Sequence, residues 1–383
     1  MEPLLSIVVP TKNRYKYLKY LIELIHSFNS EELELVIQDN SDDNTEINKF
    51  LSTSNWKSIR YFYSNKKLSM SENSDQAIIN SRGEYVCFIG DDDGVCHTIL
   101  DCVNWMKNNN IDAVRCDNGA YFWNDYNKKN YRTNFSNALL YKKCKYSYRL
   151  ASPLKNLTKA LKKGLQYPCE MPFLYHGIIK RSVLDKLYFI GHTFFPGGSP
   201  DMSNGVSLCF FVKRYAIIDI PVIINGTSNM TGGGIFKRKI GKSPLEEVSF
   251  ISKSVIDKWE PTIPRIWCGR FAWPESGLKG LRYVKQEEYI KIMNYEYMYA
   301  CAAVFYGETK LGLKNSRNKS RFLFLYTKLT FTRIFKTIKN KIFYRLTSKY
   351  NGYSVVKKID NIIIAEKNLT EHINKFIQLT QIK

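Results

Sequence analysis

Three aspartates in a row, Asp91-Asp92-Asp93, stand between Gly90 and Gly94, directly after the apolar run Tyr85–Ile89. Adjacent carboxylates repel one another, and the end of a buried strand is a costly place to collect them unless a cation answers. Two more polar groups share this setting. Thr11–Arg14 follows Ser6-Ile7-Val8-Val9-Pro10, and Asp39–Asp43 follows Leu33–Ile37. A further acid, Asp201, comes after Ser199-Pro200 and just before the apolar run Val206–Val212, which suits a helix. Each has a plain reading taken singly. The triplet could be a solvated loop at the positive end of the next helix, Asp39 an Asx-turn residue, Arg14 a surface arginine, and Asp201 an N-cap.

The elements around them argue for more. Tyr17–Phe28 carries apolar residues at helical spacing, Thr45–Leu51 reads as a short helix and Ser71–Ser81 as another. They alternate with β-rich runs at Ser6–Pro10, Leu33–Ile37, Ile59–Tyr63 and Tyr85–Ile89. Such alternation predicts a parallel sheet covered by helices. Sheets of this kind bind ligands outside the carboxyl ends of their strands. Thr11–Arg14, Asp39–Asp43 and Asp91–Asp93 therefore converge on one edge. Asn73 and Asp75 fall on the helix before the fourth strand. Strands are also expected at Asp112–Cys116, Leu174–Ile179 and Ala216–Ile224, with an irregular stretch over Tyr121–Lys145. His176 and His192 read as core residues, because neither has a second histidine at i+4 to share a metal.

The chain has 383 residues, enough for two or three packed units, with an ordinary 44% hydrophobic content. It has no run of apolar residues long enough to span a bilayer and no signal-peptide pattern at its N-terminus. Nine cysteines without a CxxC pair suit a reducing cytosol. A net charge of +22 calls for an anionic partner. Much of it lies between Lys310 and Lys349, where twelve Lys or Arg are interleaved with Phe, Leu and Ile and no acid occurs. A basic amphipathic segment of this kind suits an anionic membrane surface.

The stretches "SIVVPTKNR" (6–14), "LELVIQDNSDDNT" (33–45), "SRGEYVCFIGDDD" (81–93) and "FPGGSPDMSNGVSLCFF" (195–211), with "YHGIIKRSVLDKL" before the last, together resemble glycosyltransferase family 2. The resemblance implies a GT-A fold: a Rossmann-like α/β mixed sheet flanked by helices, here followed by a basic, mainly helical C-terminal region. The resemblance covers roughly residues 4–230 and implies a nucleotide-sugar-binding half (1–105) and an acceptor-binding and catalytic half (106–240); outside it, the basic composition of 241–383 suggests a membrane- or partner-associating region. The resemblance also implies roles. Asp92 and Asp93 would hold Mn²⁺ or Mg²⁺ from a DXD-type motif, with Asp91 towards the ribose. Thr11, Arg14 and Asn73 would face the nucleotide. Asp39 would accept from a base N3–H, favouring a UDP-sugar because a carboxylate only accepts. Asp201 would be the general base of an inverting transfer. Apart from the resemblance, Lys237, Arg238 and Lys239 follow the glycine-rich Thr231-Gly232-Gly233-Gly234, a pattern that suits either cations closing over the diphosphate or a flexible surface loop.

The expected function is sugar transfer from a nucleotide-sugar to a glycan or polyprenyl-linked oligosaccharide, in surface polysaccharide synthesis such as O-antigen or capsule. The expected place is the inner face of the cytoplasmic membrane. The competing expectation is a basic nucleic-acid-binding protein with a non-catalytic α/β domain. Clustered Asp39, Asp91–Asp93 and Asp201 would repel a phosphate backbone, so no nucleic acid is expected.

Overall fold

A computed structural model of the chain describes residues 2–126, 135–142, 144, 147–230, 242–248, 250–347 and 352–373. The alternation read from the sequence becomes one side of a large sheet. Strands β1 (Leu5–Thr11), β2 (Leu33–Asp39), β3 (Ile59–Tyr63) and β4 (Tyr85–Phe88) lie parallel in the order β3-β2-β1-β4. Their Val- and Ile-rich runs fit the pleat, and β1, β2 and β4 are almost wholly buried, as strands covered on both faces must be. Helices α1 (Tyr15–Ser27), α2 (Thr45–Leu51) and α3 (Met70–Ile79) form the crossovers. In α1, Tyr17, Leu18, Leu21, Ile22 and Ile25 make one buried stripe. A capping box starts α3: Glu72 N–H donates to Ser69 Oγ, and Ser69 N–H donates to Glu72.

Beyond β4 the sheet is mixed. After β5 (Gly94–Val95) and α4 (Ile99–Asn108), β6 (Ala113–Phe122) pairs antiparallel with β7 (Ala138–Tyr141), giving a hairpin within the expected irregular stretch. Strand β8 (Tyr148–Ala151) and helix α5 (Pro153–Lys162) lead to β9 (Gly177–Lys180), which enters antiparallel between β4 and β6. Then come α6 (Arg181–Tyr188), α7 (Pro200–Leu208) and the long strand β10 (Tyr215–Thr227), parallel to β6. The helix expected at 206–212 thus starts six residues earlier, so Asp201 lies inside it.

The remaining chain serves two cores. Strands β11 (Ser243–Pro244) and β12 (Ile266–Trp267) pair outside the main sheet, with α8 (Lys253–Asp257) between them. Helices α9 (Gly269–Tyr283), α10 (Tyr295–Tyr306), α11 (Thr309–Asn315) and the long α12 (Lys319–Thr347) follow. Phe271, Leu278, Met298 and Phe322 pack with Leu161, Met202 and Val206 into a second core. The chain then returns to the first. Strand β13 (Ser354–Lys357) pairs with β7, and α13 (Ile362–Ile373) packs its Ile362, Ala365 and Leu369 among the residues beneath the sheet. Gly94 permits this approach, since a Cβ there would lie 2.6 Å from Ile362. The region 241–383 is therefore shared between the two cores. No helix among the described residues is long and apolar enough to cross a membrane.

Candidate functional site

The ends of β1, β2 and β4 meet as the topology requires. Asn40 N–H donates to the Thr11 carbonyl, joining the loops after β2 and β1. Asn13 takes a left-handed conformation (φ 56°), which asparagine tolerates better than most residues. Its N–H donates to Ser41 Oγ at 2.7 Å. That turn directs Arg14 across the aspartate triplet. Arg14 Nε lies 3.1 Å from Asp91 Oδ1, and its Nη2 lies 2.7 Å from Asp92 Oδ2. Thr11 Oγ1 donates to Asp91 Oδ2 at 2.6 Å, and Ser228 Oγ to Asp92 Oδ2 at 2.7 Å.

Asp93 is held differently. Its Oδ2 accepts from Gly90 N–H (2.7 Å), Tyr175 O–H (3.1 Å) and His176 Nε2–H (2.7 Å), and its Oδ1 from Gly226 N–H (2.7 Å). His176 Nδ1 accepts from Asn225 Nδ2. Gly226 has no substitute: a Cβ would fall 1.6 Å from the Asp92 carbonyl oxygen. The Trp123 indole N–H donates to that same oxygen at 2.8 Å.

All three aspartates are buried. Burial pushes Asp91 up, and Asp92 up to about 7, while Arg14 pulls both back. Burial also works against the Arg14 charge, but Asp91 and Asp92 outweigh it and Arg14 stays protonated. For His176, burial disfavours the imidazolium, and Asp93, with help from Asp201 and Asp92, outweighs that and raises the pKa.

Asp201 belongs to this field without being bonded into it. It stands in the first turn of α7, where Ser199 is the N-cap and Pro200 the first helical residue. It therefore does not cap the helix. Its carboxylate makes no hydrogen bond or ion pair with another described side chain. Burial raises its pKa, His176 and a hydrogen bond from its own backbone lower it, and Asp93 raises it. Ser199 N–H donates to Ser276 Oγ of α9 at 2.8 Å, fixing the start of α7 against the second core.

Other expected residues are engaged elsewhere. Asp39 reaches the edge but is enclosed: Oδ2 accepts from Tyr15 and Tyr61 hydroxyls, both at 2.6 Å, and Oδ1 from Ser41 N–H at 2.8 Å. It braces Tyr15 of α1, Tyr61 of β3 and the loop after β2, which leaves about one lone-pair direction open, on Oδ1. Asn73 turns its Nδ2 inward to the Thr11 and Gln38 carbonyls, leaving Oδ1 buried and unpartnered. It ties α3 to β1 and β2 instead of facing outward. Asp75 accepts from Thr193 O–H and Phe194 N–H, which anchors the segment leading to α7. Lys237 and Arg238 lie outside the described residues.

Among the described residues, no three of His, Cys, Asp and Glu converge as a metal-ligand set. Asp93, expected beside Asp92 as a ligand, already accepts four hydrogen bonds. Asp92 differs: both of its partners are on Oδ2, and Oδ1 accepts from no described residue. One carboxylate oxygen suits a divalent ion that arrives with substrate phosphates and keeps waters of its own. The donor set therefore fits a diphosphate-borne ion on Asp92 and not a preformed cage.

The sequence reading missed His176, Ser228 and Gly226. His176 is a lone histidine with no spacing signal. Ser228 and Gly226 sit in Ile224-Asn225-Gly226-Thr227-Ser228, polar residues closing a long strand, which is the same signal that marked the other loops.

Residues 6–186 match the family profile described as Glycosyl transferase family 2. A curated relative, the GalNAc(5)-diNAcBac-PP-undecaprenol beta-1,3-glucosyltransferase of Campylobacter jejuni subsp. jejuni serotype O:2, is 31% identical over 109 residues, covering 27% of this chain. The match spans 35% of that relative's length. Among solved structures, S. aureus TarS 1–349 in complex with UDP-GlcNAc aligns with a TM-score of 0.48 at 12% identity, over 86% of this chain and 91% of that one. The mannosyltransferase PcManGT from Pyrobaculum calidifontis, in complex with GDP-Man and Mn²⁺, aligns with a TM-score of 0.41 at 15% identity, over 86% and 85%. Likeness at this level carries none of the chemistry over.

Proposed function

Through residues 6–186 the chain belongs to glycosyl transferase family 2, and from that premise we propose that it is an inverting glycosyltransferase acting on a lipid-linked or glycan acceptor. The observation that carries this reading is Asp201: a half-buried carboxylate with no side-chain partner among the described residues, bonded only to its own backbone, beside a cluster in which Asp91, Asp92 and Asp93 are all bonded to other residues. Inverting transfer needs one such base. Asp201 takes the proton of the acceptor hydroxyl as that oxygen attacks the anomeric carbon. The bond from that carbon to the phosphate oxygen breaks on the opposite face. The products are the new glycoside and a nucleoside diphosphate, and Asp201 returns its proton to water. Burial raises its pKa towards the working range of a general base.

Thr11, Arg14 and Asp91 form the nucleotide wall, with Asp91 towards the ribose. Asp92 Oδ1 is the ligand for Mn²⁺ or Mg²⁺, and Asp93 is the scaffold behind it. When bound, the ion neutralises charge on the leaving diphosphate, so no side-chain acid is required. A UDP-sugar is the proposed donor. Asp39 has about one lone-pair direction left on Oδ1 for the base, and Lys237 and Arg238 close from the glycine-rich segment. The name of the C. jejuni relative supports a polyprenyl diphosphate-linked acceptor and hence a role in surface polysaccharide assembly. Such acceptors lie in the membrane, and the basic C-terminal region brings the protein to its anionic inner face.

A thermal-shift panel of UDP-, GDP- and dTDP-sugars, each with Mn²⁺ and with EDTA, tests this. A UDP-sugar is expected to raise the melting midpoint with Mn²⁺ and to lose most of that effect in EDTA. If no nucleotide-sugar stabilises the protein, the donor assignment fails. Stabilisation indifferent to EDTA removes the metal.

A further inference from the structure

The long helix α12 has two apolar faces, and only one is used. Phe322, Leu325, Tyr326 and Leu329 pack into the second core against α10. At about 100° per residue, Phe324, Phe331, Phe335, Ile338 and Ile342 fall together on the opposite side. All five are exposed, Phe324 by 65%, Phe331 by 67% and Phe335 by 71%. Three phenyl rings and two isoleucines in one line make an apolar face of the kind that marks an interaction surface.

Charge says what covers it. By the same helical spacing, Arg321, Lys328 and Lys339 follow one border of the stripe and Lys341 the other, and all are exposed. No acidic residue occurs between Glu308 and Asp360. Arg333 lies on the inner side, where it donates to the Val304 carbonyl and stacks 4.9 Å from the Phe305 ring, tying the helix to α10. A second copy of the helix laid on this stripe would bring lysines and arginines together with no glutamate to pair them, contrary to what stabilises such seams. An apolar face whose charged neighbours are all cations suits a surface that is apolar inside and anionic at its rim.

We propose that α12 is the membrane-docking element. It lies in the plane of an anionic lipid surface, with Phe324, Phe331, Phe335, Ile338 and Ile342 in the acyl boundary and Arg321, Lys328, Lys339 and Lys341 among the phosphates. This rests on the proposed membrane role of the C-terminal region and names the helix face that performs it. The inner face stays packed, so docking needs no unfolding of the second core.

The test is co-sedimentation of the full chain with vesicles of phosphatidylglycerol mixed with phosphatidylcholine, and with phosphatidylcholine alone. The wild type is expected to pellet with the first and not the second. Phe331→Ser/Phe335→Ser should weaken binding at least about tenfold. Lys328→Glu/Lys339→Glu should do the same, and both should melt as the wild type does because the residues are exposed. If the wild type binds anionic vesicles and both double variants bind equally well, the membrane role stands and α12 is the wrong element. If the wild type binds neither vesicle, the membrane role itself fails. If the phenylalanine variant instead converts a dimer to a monomer in light scattering with vesicle binding unchanged, the stripe is a self-association surface and the proposal is overturned.

Discussion

The end of β4 and the head of α7 both hold aspartate, buried at the first and half-buried at the second, and they treat it in opposite ways. Asp91, Asp92 and Asp93 are answered inside the protein by Arg14, His176, two hydroxyls from Thr11 and Ser228, the Tyr175 hydroxyl and backbone N–H groups. Asp201 has no side-chain partner among the described residues and only a hydrogen bond from its own backbone, although it feels the same His176. A carboxylate bonded to several residues is held in position, which suits a scaffold. A half-buried one with no side-chain partner is desolvated at a cost, and a fold keeps that cost where the group has a partner still to come. The contrast therefore divides one acidic cluster into a frame and a reacting group.

The largest expected effect tests the reacting side. Asp201→Asn removes the charge and keeps the shape, so sugar transfer should fall by about 10²–10⁴-fold. The melting midpoint should stay or rise, and nucleotide-sugar binding should persist. Turnover near that of the wild type would end the division. Next, Arg14→Met leaves Asp91 and Asp92 buried beside no cation and should cost ~3 kcal/mol in denaturant melts, part of it regained with Mn²⁺. A variant as stable as the wild type would mean the frame does not depend on Arg14. The smallest effect sharpens the role of His176. Its pKa in the folded protein lies above its ordinary value, so its bond to Asp93 contributes stability that is fully present below the unfolded pKa. That contribution is lost as pH rises through the folded one. The wild type should thus lose more stability than His176→Gln across that rise, measured as the difference between their melts at each pH. Equal slopes would make His176 a spectator.

Much of this edge was legible. β-rich runs alternating with helical spacing gave four strands and three helices, and the rule that ligands bind beyond strand ends brought Thr11, Arg14, Asp39 and Asp91–Asp93 together. Asp201 was picked out because the resemblance to glycosyltransferase family 2 implies a base in a short loop that opens a helix, and Asp201 follows Ser199-Pro200 at such a place. Its competing role as N-cap failed because the helix begins one residue earlier, at Pro200. Less legible was anything set by pairing across long separations. Local pattern does not say that β9 enters between β4 and β6, yet that strand order is what brings His176 to Asp93. It does not say that the end of β10 reaches the triplet, which supplies Gly226 and Ser228. Residue type suggested that Asp39 and Asn73 would face a ligand. Nearby tyrosine hydroxyls take one oxygen of Asp39 and backbone carbonyls take the Asn73 amide, and such competition shows only in three dimensions.

The late return of the chain to its first sheet has a consequence for biosynthesis. Strand β7 pairs on its outer side with β13, which leaves the ribosome roughly 200 residues later. Until then its outer edge is an unpaired row of N–H and C=O groups. The floor that α13 lays against Gly94 and Leu24 is equally late. An early sheet with an open flank is the kind of species that pairs wrongly with its neighbours. A nascent chain stopped before residue 354 should therefore be the form most in need of a chaperone, whatever the stability of the finished protein.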